Sequence, residues 1–166
     1  PVASCNETDF QNLMDVYMDA VLNPNIGREK KIFMQEGWQL ELPDPDSELT
    51  YNGVVYNEMK GVFSSPESLL DRYIKAAMFP DTCYGYESGG DPEEIVNLTY
   101  EAYLDFYKTY YHPSNSYIYL YGDMNMAEKL KWLDKEYLGK YEQEQVDSEI
   151  RLQKAFKEPV EKEYYY

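Results

Sequence analysis

The stretch Leu49-Thr50-Tyr51-Asn52-Gly53-Val54-Val55-Tyr56-Asn57-Glu58-Met59-Lys60-Gly61-Val62-Phe63 supports two readings, and the choice decides how the middle of the chain is built. Asn52-Gly53, set between Thr50-Tyr51 and Val54-Val55-Tyr56, is a good tight-hairpin signal, because both residues tolerate the left-handed backbone such turns need. At a helical period, however, Val54, Val55, Glu58, Gly61 and Val62 share one face, and Met59 and Lys60 favour helix. Local propensity leans to the hairpin, and pattern alone leaves both open. Glu58 makes the choice matter. In the helical reading it sits among valines, where an ionised carboxylate is costly unless paired or bound to a metal. In the hairpin reading, or if Lys60 or another cation pairs with it, it is an ordinary surface charge.

Outward from this stretch the signals are plainer. Upstream, Thr8 and Gln11 form a capping-box pair before Phe10, Leu13, Met14, Tyr17 and Val21, one apolar helix face, which Asn23-Pro24-Asn25 ends. After a charged stretch, Trp38, Leu40 and Leu42 alternate with Gln39 and Glu41 up to Pro43, as in a half-buried strand. Pro43-Asp44-Pro45-Asp46 is a loop. Downstream, Ser65 as cap and Pro66 at the first helical position open a helix burying Leu69, Leu70, Tyr73, Ile74 and Ala77 and ending before Pro80. Residues 85–92, with Gly89-Gly90-Asp91-Pro92, read as a loop. Thr99 caps a helix with Tyr103, Phe106, Tyr107 and Tyr110 along one side, stopped by His112-Pro113. Tyr117-Ile118-Tyr119-Leu120-Tyr121 is a continuously apolar strand of interior type, ended by Gly122-Asp123. Asn125 and Glu128 cap a last helix through Met126, Leu130, Leu133 and Tyr137, with Gly139 near its end. Residues 141–148 are acidic and linker-like, and 150–166 are one more extended segment.

These elements give an α+β class, with helices packed on one face of a small mixed or antiparallel sheet. That sheet is incomplete: the strand at Tyr117 to Tyr121 calls for neighbours on both edges, and few strands are available. An exposed edge leaves the chain open to self-association.

Composition bounds the function. The 166 residues suffice for one domain with a core, and 43% hydrophobic residues argue for a folded protein. The 19 tyrosines suit half-buried positions with one wet end. A net charge of -16, from 31 acidic and 15 basic residues, repels phosphate backbones and excludes nucleic acid as a natural partner, while favouring cationic ligands such as basic peptides. No run is long and apolar enough to span a bilayer, so no membrane partner is expected. The first residues, Pro1-Val2-Ala3-Ser4-Cys5-Asn6, show no leader pattern, and with no address visible the default compartment is cytoplasmic. The absence of an initiator Met suggests that the start is a cut. Cys5 and Cys83 fall in no ligand spacing and read as free thiols.

The segment Asn52-Gly53-Val54-Val55-Tyr56-Asn57-Glu58-Met59-Lys60-Gly61 resembles the part of pitrilysin (insulinase) family metallopeptidases, on the presequence-protease-like branch, that supplies the third zinc ligand. The likeness continues, in the same order, through Asp9-Phe10-Gln11-Asn12-Leu13-Met14-Asp15-Val16-Tyr17, Gln35-Glu36-Gly37-Trp38, Ser88-Gly89-Gly90-Asp91-Pro92 and Tyr111-His112-Pro113-Ser114-Asn115. It implies that 54–63 is helix and that Glu58 is a metal ligand. It also implies a zinc endopeptidase that cuts unfolded peptides with a metal-activated water, two histidines and a general-base glutamate coming from a His-x-x-Glu-His helix. No such motif occurs here and His112 is the single histidine, so the resemblance places that helix before Pro1, in the remainder of a parent polypeptide. Residues 1–140 would then be the latter part of a catalytic domain, and 141–166 a linker or the start of the next segment. Some relatives carry an acid two helical turns before the ligand glutamate, where this chain has Tyr51, so support around the metal would differ.

The other chemistry-bearing residues read as structural. His112 stands at a helix end, where an imidazole can bond terminal carbonyls. Gly89-Gly90-Asp91 is a turn and not a phosphate loop. Ser64-Ser65 is a cap, and the tyrosines of 100–111 are helix packing. A second functional class remains, a non-catalytic interaction or scaffold domain of the same fold, against which a carboxylate kept on an apolar face argues. Because one carboxylate is far short of the four-coordinate site zinc takes, the isolated chain is expected to hold no stoichiometric zinc and to cut no peptide. Metal analysis of the purified chain checks this, and one equivalent of zinc would overturn it.

Overall fold

The computed structural model describes residues 3–165. In chain order, the helix α1 (Glu7–Leu22) leads through a 3-10 turn to α2 (Lys30–Glu36), β1 (Gln39–Glu41) and β2 (Thr50–Asn52). Then come α3 (Val54–Val62), α4 (Pro66–Met78), α5 (Pro92–Ile95), α6 (Tyr100–Tyr110) and α7 (Met126–Glu136). The class is α+β: a helical chain with one small antiparallel sheet, β1 with β2, in the register Gln39 to Asn52, Leu40 to Tyr51 and Glu41 to Thr50. The readings at Pro1 and Val2, and the final tyrosine of the tail, Tyr166, lie outside the described residues.

The chain divides into two compact units. The first joins the segment ending at Arg28 to Glu101–Ser148. Here α1 begins earlier than its capping-box reading: Asn6, not Thr8, is the cap, its Oδ1 accepting from the Asp9 N–H at 2.8 Å. An exposed Thr8 already lies inside the helix, and Asn6 takes over the orphan N–H groups of the first turn. Tyrosines hold the other end. Tyr107 donates to the Val21 carbonyl at 2.6 Å and Tyr141 to that of Leu22 at 3.5 Å, satisfying carbonyls that a helix C-terminus leaves without partners. Met14 and Leu133 are buried, Leu133 almost completely. Lys129, also buried, donates to Gln11 at 2.9 Å and approaches Glu7 at 3.8 Å, so its charge is not stranded. Asn125 caps α7 by accepting from the Glu128 N–H, and Gly139 falls in a short 3-10 turn after it.

In this unit the strand expected at Tyr117 to Tyr121 does not form. The segment is extended but makes no backbone hydrogen bond among the described residues, and Tyr117, Tyr119 and Tyr121 point together into solvent. Its side chains favour a β conformation, but pairing needs neighbouring strands, and none lies among the described residues of this unit. The acidic stretch 141–148 contacts the turn after α6. Ser148 donates to Asn115 at 2.5 Å, and the Glu144 N–H donates to the Ser114 hydroxyl at 3.1 Å.

The second unit comprises Glu29–Tyr100 and the segment from Glu149 onward. Its α2 is hidden in the charged stretch, where Phe33 is the one buried residue, and the Phe33 ring lies 5.9 Å from that of Tyr100. Trp38 donates to the Leu98 carbonyl at 2.9 Å. The half-buried strand expected from Trp38, Leu40 and Leu42 is only partly so, since Trp38 is half-buried while Leu40 and Leu42 are exposed. Ser65 and Pro66 open α4 as the sequence indicates, and the helix ends at Met78, but Leu70 and Ile74 of its apolar face stay exposed. The tail forms neither helix nor strand among the described residues and is docked: Gln153 exchanges two hydrogen bonds with Asp81, at 3.0 and 2.8 Å, and the Tyr164 ring stacks on Tyr73 at 3.8 Å.

Tyr137 reports on the first unit. Its hydroxyl donates to Asp15 Oδ1 at 2.6 Å, and burial, followed by that carboxylate, pushes its pKa up to about 12. A phenol whose pKa is higher folded than unfolded lends stability that is complete below the unfolded value near 10 and is lost as pH rises toward 12. Denaturant titrations between pH 9 and 12 are expected to show this loss (roughly the window set by those two values), and Tyr137→Phe to flatten it. An unchanged slope in Tyr137→Phe would contradict the assignment.

Candidate metal-ligand site

The ambiguous stretch resolves into a strand followed at once by a helix. Thr50–Asn52 does become β, but its partner is Gln39–Glu41 and not Val54–Tyr56, so the chain after Gly53 is free to wind into α3. Asn52 ties this junction: it donates to Glu41 at 2.8 Å and accepts from Asn57 in the first turn of α3 at 2.7 Å. Gly53 is required for packing. Its backbone is extended, with φ 168°, and a Cβ there would overlap the Gly37 carbonyl, so only glycine lets the helix start lie against the α2–β1 corner. Beside the junction, Trp38, Tyr51 and Tyr56 make a chain of edge-on and tilted rings with centroids 5.8 and 6.0 Å apart. Tyr51, the position where relatives' acid was expected two helical turns before Glu58, therefore lies in β2 and not in α3.

The phase of α3 corrects the reading of Glu58. Met59 is the buried residue of this helix, 6% exposed, whereas Val54 and Val62, one turn to either side of Glu58, are 51% and 42% exposed. Glu58 itself is exposed. The valine face was expected to be buried, and in this chain it is an outward ridge with a carboxylate at its centre. The desolvation cost that singled out Glu58 is therefore not incurred here. Nor does Lys60 pair with it: that ammonium lies over the Tyr56 ring at 5.9 Å. The Glu58 side chain makes no hydrogen bond or ion pair among the described residues. As a bare carboxylate it fits one corner of a metal site, but no three His, Cys, Asp or Glu side chains among the described residues come together to make a whole one.

The remaining candidates take structural places. His112 Nδ1 accepts from the Ser114 N–H at 3.2 Å, so the imidazole caps the following turn instead of bonding the carbonyls that end α6, and it meets the Tyr141 ring edge-on. Its Nε2 lies 3.9 Å from Glu144. Ser65 caps α4 and Ser64 donates to the Gly61 carbonyl at 2.7 Å. Cys5 and Cys83 are free and exposed. Along α6, Tyr103 and Tyr107 are half-buried as packing residues, while Phe106 and Tyr110 face outward with rings 4.8 Å apart. Sequence reasoning missed what holds α3 in phase: Met59 rests on Gly89, and Arg72 lies over Phe63, the residue that ends the helix. The paired glycines 89 and 90 were the available signal.

Residues 97–166 match the family model described as the peptidase M16 inactive domain. The chain is 57% identical over 166 residues to protein HypA of Clostridium perfringens, covering all of this chain and 17% of that protein. It is 48% identical over 162 residues to presequence protease 1, chloroplastic/mitochondrial, of Arabidopsis thaliana (96% of this chain, 15% of the relative). With the mitochondrial presequence protease of Drosophila melanogaster it shares 43% over 165 residues (96% and 16%). The chain is thus similar, over nearly its whole length, to M16, pitrilysin-like, peptidases, and it spans about a sixth of the length of the curated relatives it matches.

Gly53→Ala is expected to destabilise the second unit by about 1–3 kcal/mol, the usual cost of forcing an atom into a packed contact. Thermal melting of the variant checks this, and an unchanged melting temperature would show that the α2–β1 corner yields freely.

Proposed function

We propose that the chain is a segment of a zinc-dependent endopeptidase acting on unfolded peptides, and that Glu58 is one of the metal's ligands in the longer protein. The observation that carries this reading is the presentation of Glu58: an unpaired carboxylate centred on an exposed apolar ridge, on a helix anchored at its start and on its opposite side. A carboxylate oxygen is a donor zinc accepts, and a hydrolytic zinc site takes three protein ligands and keeps one position open. The other donors must come from elsewhere in the polypeptide, approaching over Val54 and Val62. Zinc, when bound, supplies a water acidic enough to attack a peptide carbonyl at neutral pH. Covering by an apolar neighbour would exclude solvent around Glu58 and strengthen its attraction to a cation.

The names of the plant and insect relatives suggest presequence peptides as the substrate class, and a net charge of -16 would concentrate basic peptides near the protein. Residues 1–140 would belong to the latter part of the catalytic region, with 141–166 leading out of it. The inactive-domain match over 97–166 favours a second, narrower reading, in which α6, α7 and that exit are framework and the chemistry is confined to the part around α3. On either reading the isolated chain lacks a complete site and is inactive.

The test uses the full-length protein. Because Glu58 is exposed, Glu58→Gln should fold normally, while zinc retention falls by about 100-fold or more, beyond what loss of a supporting outer contact costs, and peptide cleavage falls with it. Full zinc occupancy with unchanged turnover in Glu58→Gln would remove Glu58 from the site.

A further inference from the structure

We infer that Gly89 and the Arg72–Asp91 ion pair are positioning residues that set the rotation of α3 about its axis, and hence the direction in which Glu58 points. The inference rests on the reading of Glu58 as a ligand, but a separate set of contacts carries it. Successive residues of a helix are about 100° apart around its axis, so fixing Met59 fixes Glu58. Met59 is enclosed, and what it rests on is the backbone of Gly89: a Cβ added at that glycine would overlap Met59 Sδ and come within 2.9 Å of Met59 Cε. The thickness of residue 89 therefore sets how close this side of α3 lies to the loop.

The loop can act as a stop because it is itself held. Its turn closes by a hydrogen bond from the Gly90 N–H to the Glu87 carbonyl at 3.0 Å, with Gly90 at φ +92°, a conformation that favours glycine. Glu87 lies 3.6 Å from Lys75, and Asp91 pairs with Arg72, so two cations of α4 hold the two ends of the turn. Asp91 uses its other oxygen to cap α5, accepting from the Glu93 N–H at 3.0 Å. The Arg72 guanidinium also lies 4.9 Å from the ring centroid of Phe63, the C-terminal cap of α3. One arginine thus braces both the loop and the helix end. A larger residue at position 89 has two outlets, a swing of the Met59 side chain or a turn of α3. Met59 is 6% exposed and has little room to swing, so α3 gives.

None of these residues lies on the ridge of Glu58, so they would act on the site only through α3. In the full-length protein, zinc affinity is measured by competition with a chelator, alongside the melting temperature. Gly89→Ala is expected to weaken zinc by about tenfold, in the range of losses at supporting contacts, while the protein stays folded at the assay temperature. Adding Met59→Ala removes the overlapped sulfur and should restore affinity to within about threefold, a non-additivity expected only of coupled neighbours, even though Met59→Ala alone lowers the melting temperature. Unchanged affinity in Gly89→Ala, or no recovery in the double variant, overturns the inference. Should Gly89→Ala fail to fold, Asp91→Asn decides, since it keeps an oxygen to cap α5 and loses the charge facing Arg72: weaker zinc supports the inference and unchanged zinc overturns it. Glu58→Gln runs in parallel. If it leaves zinc unaffected, the ligand reading itself has failed; if it abolishes zinc while Gly89→Ala and Asp91→Asn do not, only the positioning has.

Discussion

The seating of Met59 against Gly89 decides which side of a nine-residue helix meets solvent, and most of what the second unit offers depends on that choice. Gly53 lets the helix begin flush with the corner at Gly37, and Phe63 ends it beneath Arg72. With its start, hidden side and end all specified, α3 has little freedom to roll. A helix this short would be marginal by itself. Its stability comes from these contacts, and they point Val54, Glu58 and Val62 away from the unit that makes them.

Features read correctly from sequence are those whose physics is local. Ser65-Pro66 and Asn125 with Glu128 announce helix starts because a cap bonds within its own turn. The breakers Asn23-Pro24 and His112-Pro113 work the same way. Where two local solutions compete, the pattern is less reliable: Asn6 displaces Thr8 as cap of α1, and the Asn52-Gly53 signal marks a strand-to-helix junction and not a hairpin. What could not be read is burial. Periodicity finds an apolar face, but whether that face is covered depends on what lies opposite. Val54 and Val62, Leu70 and Ile74, Leu40 and Leu42, and the Tyr117 to Tyr121 segment are apolar sets that local pattern assigns to an interior and that this chain leaves exposed. The likeness to the peptidase family was legible through the order of matching segments. The orientation of Glu58 was not, because it is set by Gly89, thirty-one positions along the chain by the numbering.

The tyrosines show the same division between what the chain satisfies and what it leaves open. Tyr107, Tyr137 and Tyr141 each send a hydroxyl to an oxygen of α1 while their rings pack, so three residues from the far end of the sequence hold one helix. Tyr117, Tyr119 and Tyr121 have no such task, and their backbone is unpaired among the described residues. Among the described residues no helix is long and apolar enough to cross a membrane. Curated relatives are about six times as long as this chain.

An apolar covering of the α3 ridge would constrain the chemistry at Glu58. As long as the ridge is wet, a carboxylate between two valines costs little. Once an apolar neighbour lies over Val54 and Val62, the same carboxylate loses its water, and leaving it ionised without a partner costs several kcal/mol. Nothing on α3 offers that partner, since Lys60, its one cation, is turned toward Tyr56. Whatever covers the ridge must therefore bring positive charge to within bonding distance of Glu58. An arginine or lysine would meet the requirement as a simple ion pair, and a divalent metal brought with further ligands would meet it with a reactive centre. Between these, the proposed role of Glu58 as a metal ligand corresponds to the second.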